Sequence, residues 1–252
     1  MIDAESGPAD RRRIGVVAPF DFALDREYWA FVPPGVSLHL TRTAFVDGPV
    51  GVALAQAVSD PGSAAAAVRT LVAIEPDVVA YACTSGSFVN GLSGERELRE
   101  AMLAAGAARA VTTSGALLEA LEALDVRRVA LATPYASELG RYLSAFVDEA
   151  GFEPVSLANL ELEGGIADVA KDVVERLAAA AIVPDAEALF LSCTNLWTID
   201  VLAGLERRYG IPVLSANQVT MWAALRAAGA HAAIEDQSLF YQSRAMRAAA
   251  AP

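Results

Sequence analysis

The stretch DVVAYACTS, residues 77–85, is a short apolar run that ends in a cysteine, a threonine and a serine. A second stretch, EALFLSCTN at residues 187–195, repeats the order of an apolar run, Cys-Thr and a small polar residue. Continuous apolar runs of this length are typical of strands buried on both faces of a parallel sheet. We therefore predict that Cys83 and Cys193 each stand at the carboxyl end of a central strand.

Two further pairs of segments follow in the same order. RIGVVAPF at residues 13–20 matches RVALATPY at residues 128–135, and ARAVTTSGALLEAL at residues 108–121 weakly matches IPVLSANQVTMWAAL at residues 211–225. One match could arise by chance, whereas three in the same order indicate two similar halves.

Apolar runs alternate with longer helical segments along nearly the whole chain, which predicts parallel sheets covered by helices. The predicted strands are residues 14–18, 36–40, 77–82, 109–112, 128–132, 153–157, 188–192 and 212–214. The predicted helices are residues 64–74, 95–104, 114–124, 137–150, 166–180, 198–209 and 219–228.

These patterns predict an α/β fold of two similar α/β domains with parallel sheets, related by a pseudo-twofold axis. We expect a first domain of residues 1–113 and 217–252, with residues 1–12 disordered, and a second domain of residues 114–216. Ligands of open parallel sheets bind beyond the carboxyl ends of the strands. The active site is therefore expected in the cleft between the domains, where the two Cys-Thr turns converge.

Charge and composition narrow the range of partners. The chain has 252 residues and a formal net charge of −12, which disfavours nucleic acid and anionic membranes as partners. No apolar run is long enough to span a bilayer, and the amino terminus lacks a signal-peptide core, so we expect a cytoplasmic protein. The composition leaves a homo-oligomer open.

The sequence also argues against a cofactor. Two cysteines and two histidines are too few for a zinc or iron–sulfur site with the usual ligand spacing. SGSFVNG, residues 85–91, has two glycines but lacks the spacing of a nucleotide-binding fingerprint. We therefore expect no metal and no other cofactor.

The two cysteine turns carry the candidate chemistry. A cysteine at a strand end before a helix lies near amide N–H groups and the positive end of a helix dipole, which favours the thiolate. The polar residues that follow would add donors suited to a carboxylate or an enolate oxygen. These residues are Thr84, Ser85, Thr194 and Asn195. Two such turns can act on both faces of a carbon, as racemisation and cis–trans isomerisation require. The alternative is that each cysteine is a small buried hydrophobic residue, the commonest state of free cysteine.

Four more residues are candidates for substrate binding. Tyr135 follows a strand and a proline, so its hydroxyl could reach a substrate carboxylate, or its ring could pack over the domain seam. Pro19 and Phe20 occupy the equivalent strand end, where Phe20 could form an apolar wall or belong to the core. Arg42 lies just past a strand and could attract a carboxylate or form a surface ion pair.

The order of strand–CTS, ATPY and strand–LSCTN resembles the aspartate/glutamate racemase superfamily, and within it the branch of maleate cis–trans isomerases and arylmalonate decarboxylases. The resemblance implies a cofactor-free enzyme with its active site between two α/β domains. It implies that Cys193 is the thiol common to isomerases and decarboxylases. Cys83 would be the second thiol of isomerases and racemases, where decarboxylases have a glycine. The groups implied to bind the substrate carboxylate are Thr84, Ser85, Tyr135 and the amides around Thr194 and Asn195.

Two loops depart from the maleate isomerase pattern. Maleate isomerases carry an asparagine in the first loop, which here is APFDFALD (residues 18–25), and another in the loop that here is ELEGGIAD (residues 161–168). TSGSF, residues 84–88, is more similar to the decarboxylase loop. The chain thus combines a decarboxylase-like pocket with an isomerase-like pair of cysteines.

We therefore expect a cofactor-independent isomerase or racemase, similar to maleate isomerase, that acts on a small carboxylate or dicarboxylate through Cys83 and Cys193. The first alternative is a carbon–carbon lyase similar to arylmalonate decarboxylase, with Cys193 as proton donor. The second alternative is a protein that binds a carboxylate without turning it over and needs neither thiol.

Removing divalent metal should leave the activity unchanged, because the sequence offers no cluster of metal ligands. Dialysis against a chelator, followed by assays with and without added zinc, checks this. Activity that is lost on dialysis and restored by the metal would contradict it.

Overall fold

The structure, a computed structural model, describes residues 12–234 and 236–241, and within them strands and helices alternate as predicted. The strands are β1 (Arg12–Ala18), β2 (Val36–Arg42), β3 (Val78–Tyr81), β4 (Ala110–Thr112), β5 (Arg128–Tyr135), β6 (Glu153–Leu162), β7 (Ala188–Leu191) and β8 (Val213–Ser215). The α-helices are α1 (Asp25–Phe31), α2 (Val52–Val58), α3 (Pro61–Leu71), α4 (Thr84–Phe88), α5 (Gly91–Ala104), α6 (Thr113–Ala123), α7 (Ser137–Glu149), α8 (Lys171–Ala181), α9 (Ile199–Tyr209) and α10 (Ala216–Ala227). Of the predicted disordered segment, residues 1–11 lie outside the described residues, and Arg12 begins β1.

The strands form two parallel sheets with equivalent orders, β2-β1-β3-β4 and β6-β5-β7-β8. Every residue of β3 (VVAY) and of β7 (ALFL) is buried. Both strands are continuous apolar runs because helices cover both faces of each sheet. The predicted α/β fold with two similar parallel sheets is confirmed.

Several boundaries differ from the sequence prediction. The three short helices α1, α2 and α4 were not predicted, since five to seven residues carry little periodic signal. The helix predicted at residues 166–180 begins only at Lys171, because residues 166–168 form a single 3-10 turn and Val169 is extended. Strand β6 continues to Leu162 beside β5, with two register shifts along the pair.

Helices α6 and α10 each follow the last strand of a sheet, and they pack against each other. Between them the hydroxyls of Thr113 and Thr220 are hydrogen-bonded at 2.8 Å. Helix α10 also packs against α1 and against β3 of the first sheet. This is the half of the molecule to which the sequence prediction assigns residues 217–252. The division of the chain at residues 113/114 and 216/217 stays a prediction. Among the described helices, none combines the length and the apolar character needed to cross a bilayer.

Replacing Gly140 with alanine should destabilise the fold. Gly140 lies on α7 against β6, where an added Cβ would overlap Asn159 Oδ1 and lie 3.3 Å from Leu157 Cδ2. Alanine favours a helix interior by roughly 0.5–1 kcal/mol, but overpacking costs typically about 1–3 kcal/mol. We expect Gly140→Ala to lower the free energy of unfolding by about 1–2 kcal/mol in denaturant titrations.

The matched control is Gly204→Ala on α9, where the nearest atom to an added Cβ, an Arg207 nitrogen, is 4.0 Å away. This variant should be as stable as the parent or more so. Equal effects of the two substitutions would contradict the close packing of α7 on β6.

Candidate active site

A cavity of about 200 Å³ lies between the carboxyl ends of the two sheets. It brings together nearly all of the residues that the sequence singled out. Those in its wall are Pro19, Phe20, Cys83, Thr84 and Ser85 from the first half, and Tyr135, Cys193, Thr194 and Asn195 from the second.

Cys83 follows β3 and is the N-cap residue of α4. Its sulfur lies 3.9 Å from the Ser85 hydroxyl, and the residue is 6% exposed. Gly86 ends the CTSG turn (residues 83–86), and there is no room for a side chain at this position. A Cβ on Gly86 would lie 2.6 Å from the Tyr81 hydroxyl and 3.2 Å from Cys83 Sγ. The Tyr81 hydroxyl in turn donates to the Val58 carbonyl at 2.6 Å, which ties α2 to this wall of the cavity.

Cys193 follows β7 in a turn of a different kind, which we call the Cys193 turn (residues 192–198). The φ of Cys193 is 92°, in the left-handed region that favours glycine. This conformation strains a residue that has a side chain. The Asn195 amide N–H approaches the Cys193 sulfur at 3.4 Å. Helix α9 begins only at Ile199, so the two CT motifs, alike in sequence, have different backbones.

Burial raises the pKa of the Cys83 thiol to about 11. The Gly86 amide and the Ser85 hydroxyl lower it in part, whereas the negative charge of Asp21 raises it further. Desolvation of the thiolate therefore outweighs the donors around it.

Burial also raises the pKa of the Cys193 thiol, to about 12. The Tyr135 hydroxyl and the Asn195 amide oppose the shift, and charges on Cys83 and Asp21 reinforce it. The thiolate that the sequence led us to expect is therefore not the resting form of either cysteine. Because a charge on Cys83 disfavours one on Cys193, the pair accommodates one thiolate at a time.

Polar groups beside the thiols can receive an anion. Thr84 is buried, and its hydroxyl finds no hydrogen-bond partner among the described residues. Burial raises the pKa of Tyr135 well above its usual value, so its hydroxyl remains a donor. An anion bound beside the thiols would satisfy the Thr84 hydroxyl.

The structure places Arg42 differently from the sequence prediction. It lies outside the cavity wall, and its guanidinium donates to the carbonyls of Phe22 at 2.7 Å and Phe20 at 3.1 Å, with a longer contact of 3.4 Å to Pro19. These acceptors belong to the segment between β1 and α1, residues 19–24, which we call the β1–α1 loop. Arg42 therefore braces this loop and does not line the cavity.

The Asn195 side chain is likewise engaged elsewhere. Its Oδ1 accepts from the Ala23 amide at 2.8 Å, and its Nδ2 donates to the Asp21 carbonyl at 3.1 Å. The side chain therefore ties the Cys193 turn to the β1–α1 loop, and the backbone amide of Asn195 faces the Cys193 sulfur.

The two phenylalanines of the β1–α1 loop have different environments. Phe20 is half-buried in the cavity wall and contacts the Phe45 ring edge-on, at 5.2 Å between centroids. Phe22 belongs to the core beside Tyr28, at 5.1 Å. Between them, Asp21 reaches the cavity rim, where desolvation raises the pKa of its carboxyl against the opposing charge of Arg42.

The sequence prediction missed the apolar side of the cavity. This wall comes from α2, from Val50 ahead of that helix and from the residues after β6. The residues are Val50, Leu54, Ala55, Val58, Gly164, Gly165, Ile166 and Ala167. The Val50 amide donates to the Glu163 carbonyl at 2.9 Å, which joins the two loops over the cavity. A short apolar stretch, VALAQAV, was the available signal, but seven residues after a glycine do not distinguish a helix from a loop.

Known proteins resemble this chain in sequence over most of its length. A sequence model of the arylmalonate decarboxylase family matches residues 55–241. The arylmalonate decarboxylase of Bordetella bronchiseptica is 38% identical over 156 residues, which are 60% of this chain and 65% of that protein, just under two thirds of its length. The maleate isomerase of Nocardia farcinica (strain IFM 10152) is 31% identical over 229 residues, 85% of this chain and 89% of that protein.

Solved structures of the same two kinds of enzyme superpose on this fold. A liganded arylmalonate decarboxylase double mutant, with one glycine changed to cysteine and one cysteine to serine, has a TM-score of 0.83 and 32% identity, covering 91% of this chain and 98% of that one. A cysteine-to-serine mutant of Nocardia farcinica maleate isomerase with a covalently bound succinylcysteine intermediate has a TM-score of 0.78 and 26% identity, covering 92% and 98%. The chain therefore belongs to the arylmalonate decarboxylase family, in the branch that also holds the maleate isomerases, as its sequence motifs indicated.

Proposed function

We propose that this protein is a cofactor-independent isomerase or racemase of a small carboxylate, with Cys83 and Cys193 as its reacting groups. One observation carries the proposal: both thiols, each from the end of a central strand in a different sheet, line a single cavity of about 200 Å³. The succinylcysteine in the maleate isomerase mutant supports a covalent cysteine step in that relative.

A racemase would use the pair as base and acid. One cysteine, as thiolate, removes the proton from the carbon next to the carboxylate, and the electron pair moves into the enediolate. The other cysteine, as thiol, returns a proton to the opposite face, so the two sulfurs exchange protonation states in each turnover. The mutual charge effect within the pair suits this division, because it favours one thiolate beside one thiol.

A cis–trans isomerase would use the same pair in another way. One thiolate adds to a carbon of the double bond, forming a C–S bond, and the other thiol protonates the neighbouring carbon. Rotation about the new single bond follows. The proton then returns to the second sulfur as the C–S bond breaks and releases the trans product with the first thiolate regenerated.

The carboxylate would bind beside Thr84, Ser85 and Tyr135, which line the cavity together with the two cysteines. The partnerless Thr84 hydroxyl supports this placement, since a buried donor without an acceptor is unfavourable until a ligand fills the site. The backbone amides near Thr194 and Asn195 would add donors on the Cys193 side. We also propose a cytoplasmic location, in keeping with two unpaired cysteines.

The second candidate is decarboxylation of a malonate, favoured by the apolar side of the cavity. A carboxylate beside Leu54, Val58 and Ile166 would lose hydration without gaining a partner, which favours its departure as CO₂. The C–C bond electrons would remain as an enediolate. Cys193, as a neutral thiol, would protonate the enediolate, and water would then reprotonate the sulfur.

Single cysteine substitutions should separate these functions. We expect Cys193→Ser to lower every activity by about 10²-fold or more, because both mechanisms use that thiol. Cys83→Ser should lower isomerisation or racemisation by a similar factor, whereas a decarboxylase would keep much of its rate. Assays on maleate, on a chiral carboxylate and on an aryl malonate measure this, with the melting temperature as the control for folding. Full activity of both variants would contradict both thiol mechanisms.

The pH dependence should separate the mechanisms independently. With thiol pKa values near 11 and 12, the thiolate fraction is small at neutral pH and grows with pH. If a thiolate reacts, kcat/KM should rise about tenfold per pH unit between about pH 8 and about pH 10. If a neutral thiol is the proton donor, kcat/KM should be flat over that range. A flat profile for isomerisation or racemisation would contradict the paired-thiol mechanism; recovery of activity on return to neutral pH controls for denaturation.

A further inference from the structure

Glu27 on α1 is a fully buried carboxylate outside the cavity wall. It accepts hydrogen bonds from the Thr198 hydroxyl at 2.7 Å, the Ile199 amide at 2.9 Å and Asn217 Nδ2 at 3.0 Å, with the Thr198 amide at 3.2 Å. All of these donors are uncharged. A carboxylate is strongly destabilised by burial unless hydrogen bonds replace its hydration, so these contacts hold the charge in place.

The donors identify what Glu27 restrains. Thr198 is the N-cap residue of α9 but caps no amide with its own side chain. The first amides of a helix lack intrahelical acceptors and carry its positive dipole end, so an anion there is stabilising. Glu27 thus caps α9 from a helix more than 170 residues earlier in the chain, where α9 leaves the Cys193 turn.

The Cys193 turn is therefore anchored to the opposite half at two points. Asn195 bonds the backbone of the β1–α1 loop, and Thr198 bonds Glu27 just beyond that loop. Between β7 and these anchors, Cys193 has the strained φ of 92°. Such a conformation persists only where the surroundings enforce it.

We propose that Glu27 is a positioning residue that fixes the Cys193 sulfur opposite Cys83. The inference rests on the proposed role of Cys193 as a reacting thiol, and Glu27 acts through the Cys193 turn without touching substrate. Loss of its charge would let the turn relax, which would expose the Cys193 thiol to solvent and move it from its place in the cavity.

The test uses Glu27→Gln, which keeps the size of the side chain but replaces one acceptor oxygen with a donor. Iodoacetamide, a small thiol reagent, reports on Cys193 in a Cys83→Ser background and on Cys83 in a Cys193→Ser background. We expect the substitution to speed alkylation of Cys193 about tenfold, since exposure lowers the thiol pKa. Alkylation of Cys83 should change less than about twofold, because its turn has no contact with Glu27 among the described hydrogen bonds.

The matched control is Glu206→Gln. Glu206 is a half-buried carboxylate on α9 that accepts from the amides of Val213 at 3.1 Å and Ser238 at 3.0 Å, away from the cavity. General destabilisation would speed alkylation of both cysteines alike, in either variant. Equal changes at the two cysteines in Glu27→Gln, or no change at either, would overturn the proposal.

A pH profile adds a readout that a purely structural role would not move. Burial raises the pKa of Glu27 to about 7, with the hydrogen bonds from Thr198 and Asn217 opposing the shift. Below that pH the protein with Glu27 should approach the alkylation rate of Glu27→Gln, and above it the two should diverge. A rate ratio that is constant across pH 7 would contradict the assignment.

The ionisable groups nearest Glu27 on the described elements can be controlled. Asp21 of the β1–α1 loop, whose charge raises the pKa of Cys193, is present in both proteins of the rate ratio. On its own helix, Asp25 and Arg26 are exposed, and Tyr28 is buried with its pKa raised far above this range. At the start of α9, Asp200 accepts from Trp197 Nε1 at 2.8 Å, and Asp200→Asn provides the corresponding control. The first turn of α10 carries uncharged side chains.

Steady-state kinetics of the same variants provide a separate test. With any substrate that the parent enzyme converts, Glu27→Gln should lower kcat about tenfold with a much smaller change in KM, while Glu206→Gln leaves both unchanged. Full activity of Cys193→Ser would remove the proposed function, yet the alkylation measurements would still decide whether Glu27 holds the turn.

Discussion

The hydrogen bonds between the β1–α1 loop and the Cys193 turn join the two halves at the carboxyl ends of their sheets, and both segments they connect form walls of the shared cavity. Asn195 joins the two segments directly, while Arg42 braces the loop from its other side through three carbonyls. Arg42 and Asn195, which the sequence suggested as ligand-binding residues, thus use their side chains to hold the β1–α1 loop in place. The polar groups left for a substrate are the hydroxyls and backbone amides around the two sulfurs.

Burial sets the chemistry of this cavity. The amides and hydroxyls around each thiol lower its pKa, but the loss of hydration raises it by more, so both cysteines rest as thiols. The apolar residues of α2 and the carboxylate of Asp21 reinforce that state. Each resting thiol can therefore donate a proton. Once one cysteine has become a thiolate, its negative charge disfavours ionisation of the other.

Local sequence signals predicted the strands along the chain, the two similar sheets and the cysteines at strand ends, because buried parallel strands are continuous apolar runs that end at polar turns. The roles of Arg42 and Asn195 were not predictable in this way, since they depend on contacts such as the one between Ala23 and Asn195, 172 residues apart. The thiolate expectation was wrong because a dipole argument omits the competing cost of desolvation. Helix α2 was missed because seven residues without a side-chain cap carry no distinctive pattern.

The left-handed backbone at Cys193 places stability and activity in opposition. At a φ of 92° a side chain adds strain of about 1–3 kcal/mol that glycine would avoid. Selection for thermal stability alone would therefore drive this position toward glycine and lose the sulfur. If Cys193 is the reacting thiol that we propose, selection for turnover opposes this change, so laboratory evolution of a more robust enzyme should hold residue 193 fixed and seek its gains elsewhere in the fold.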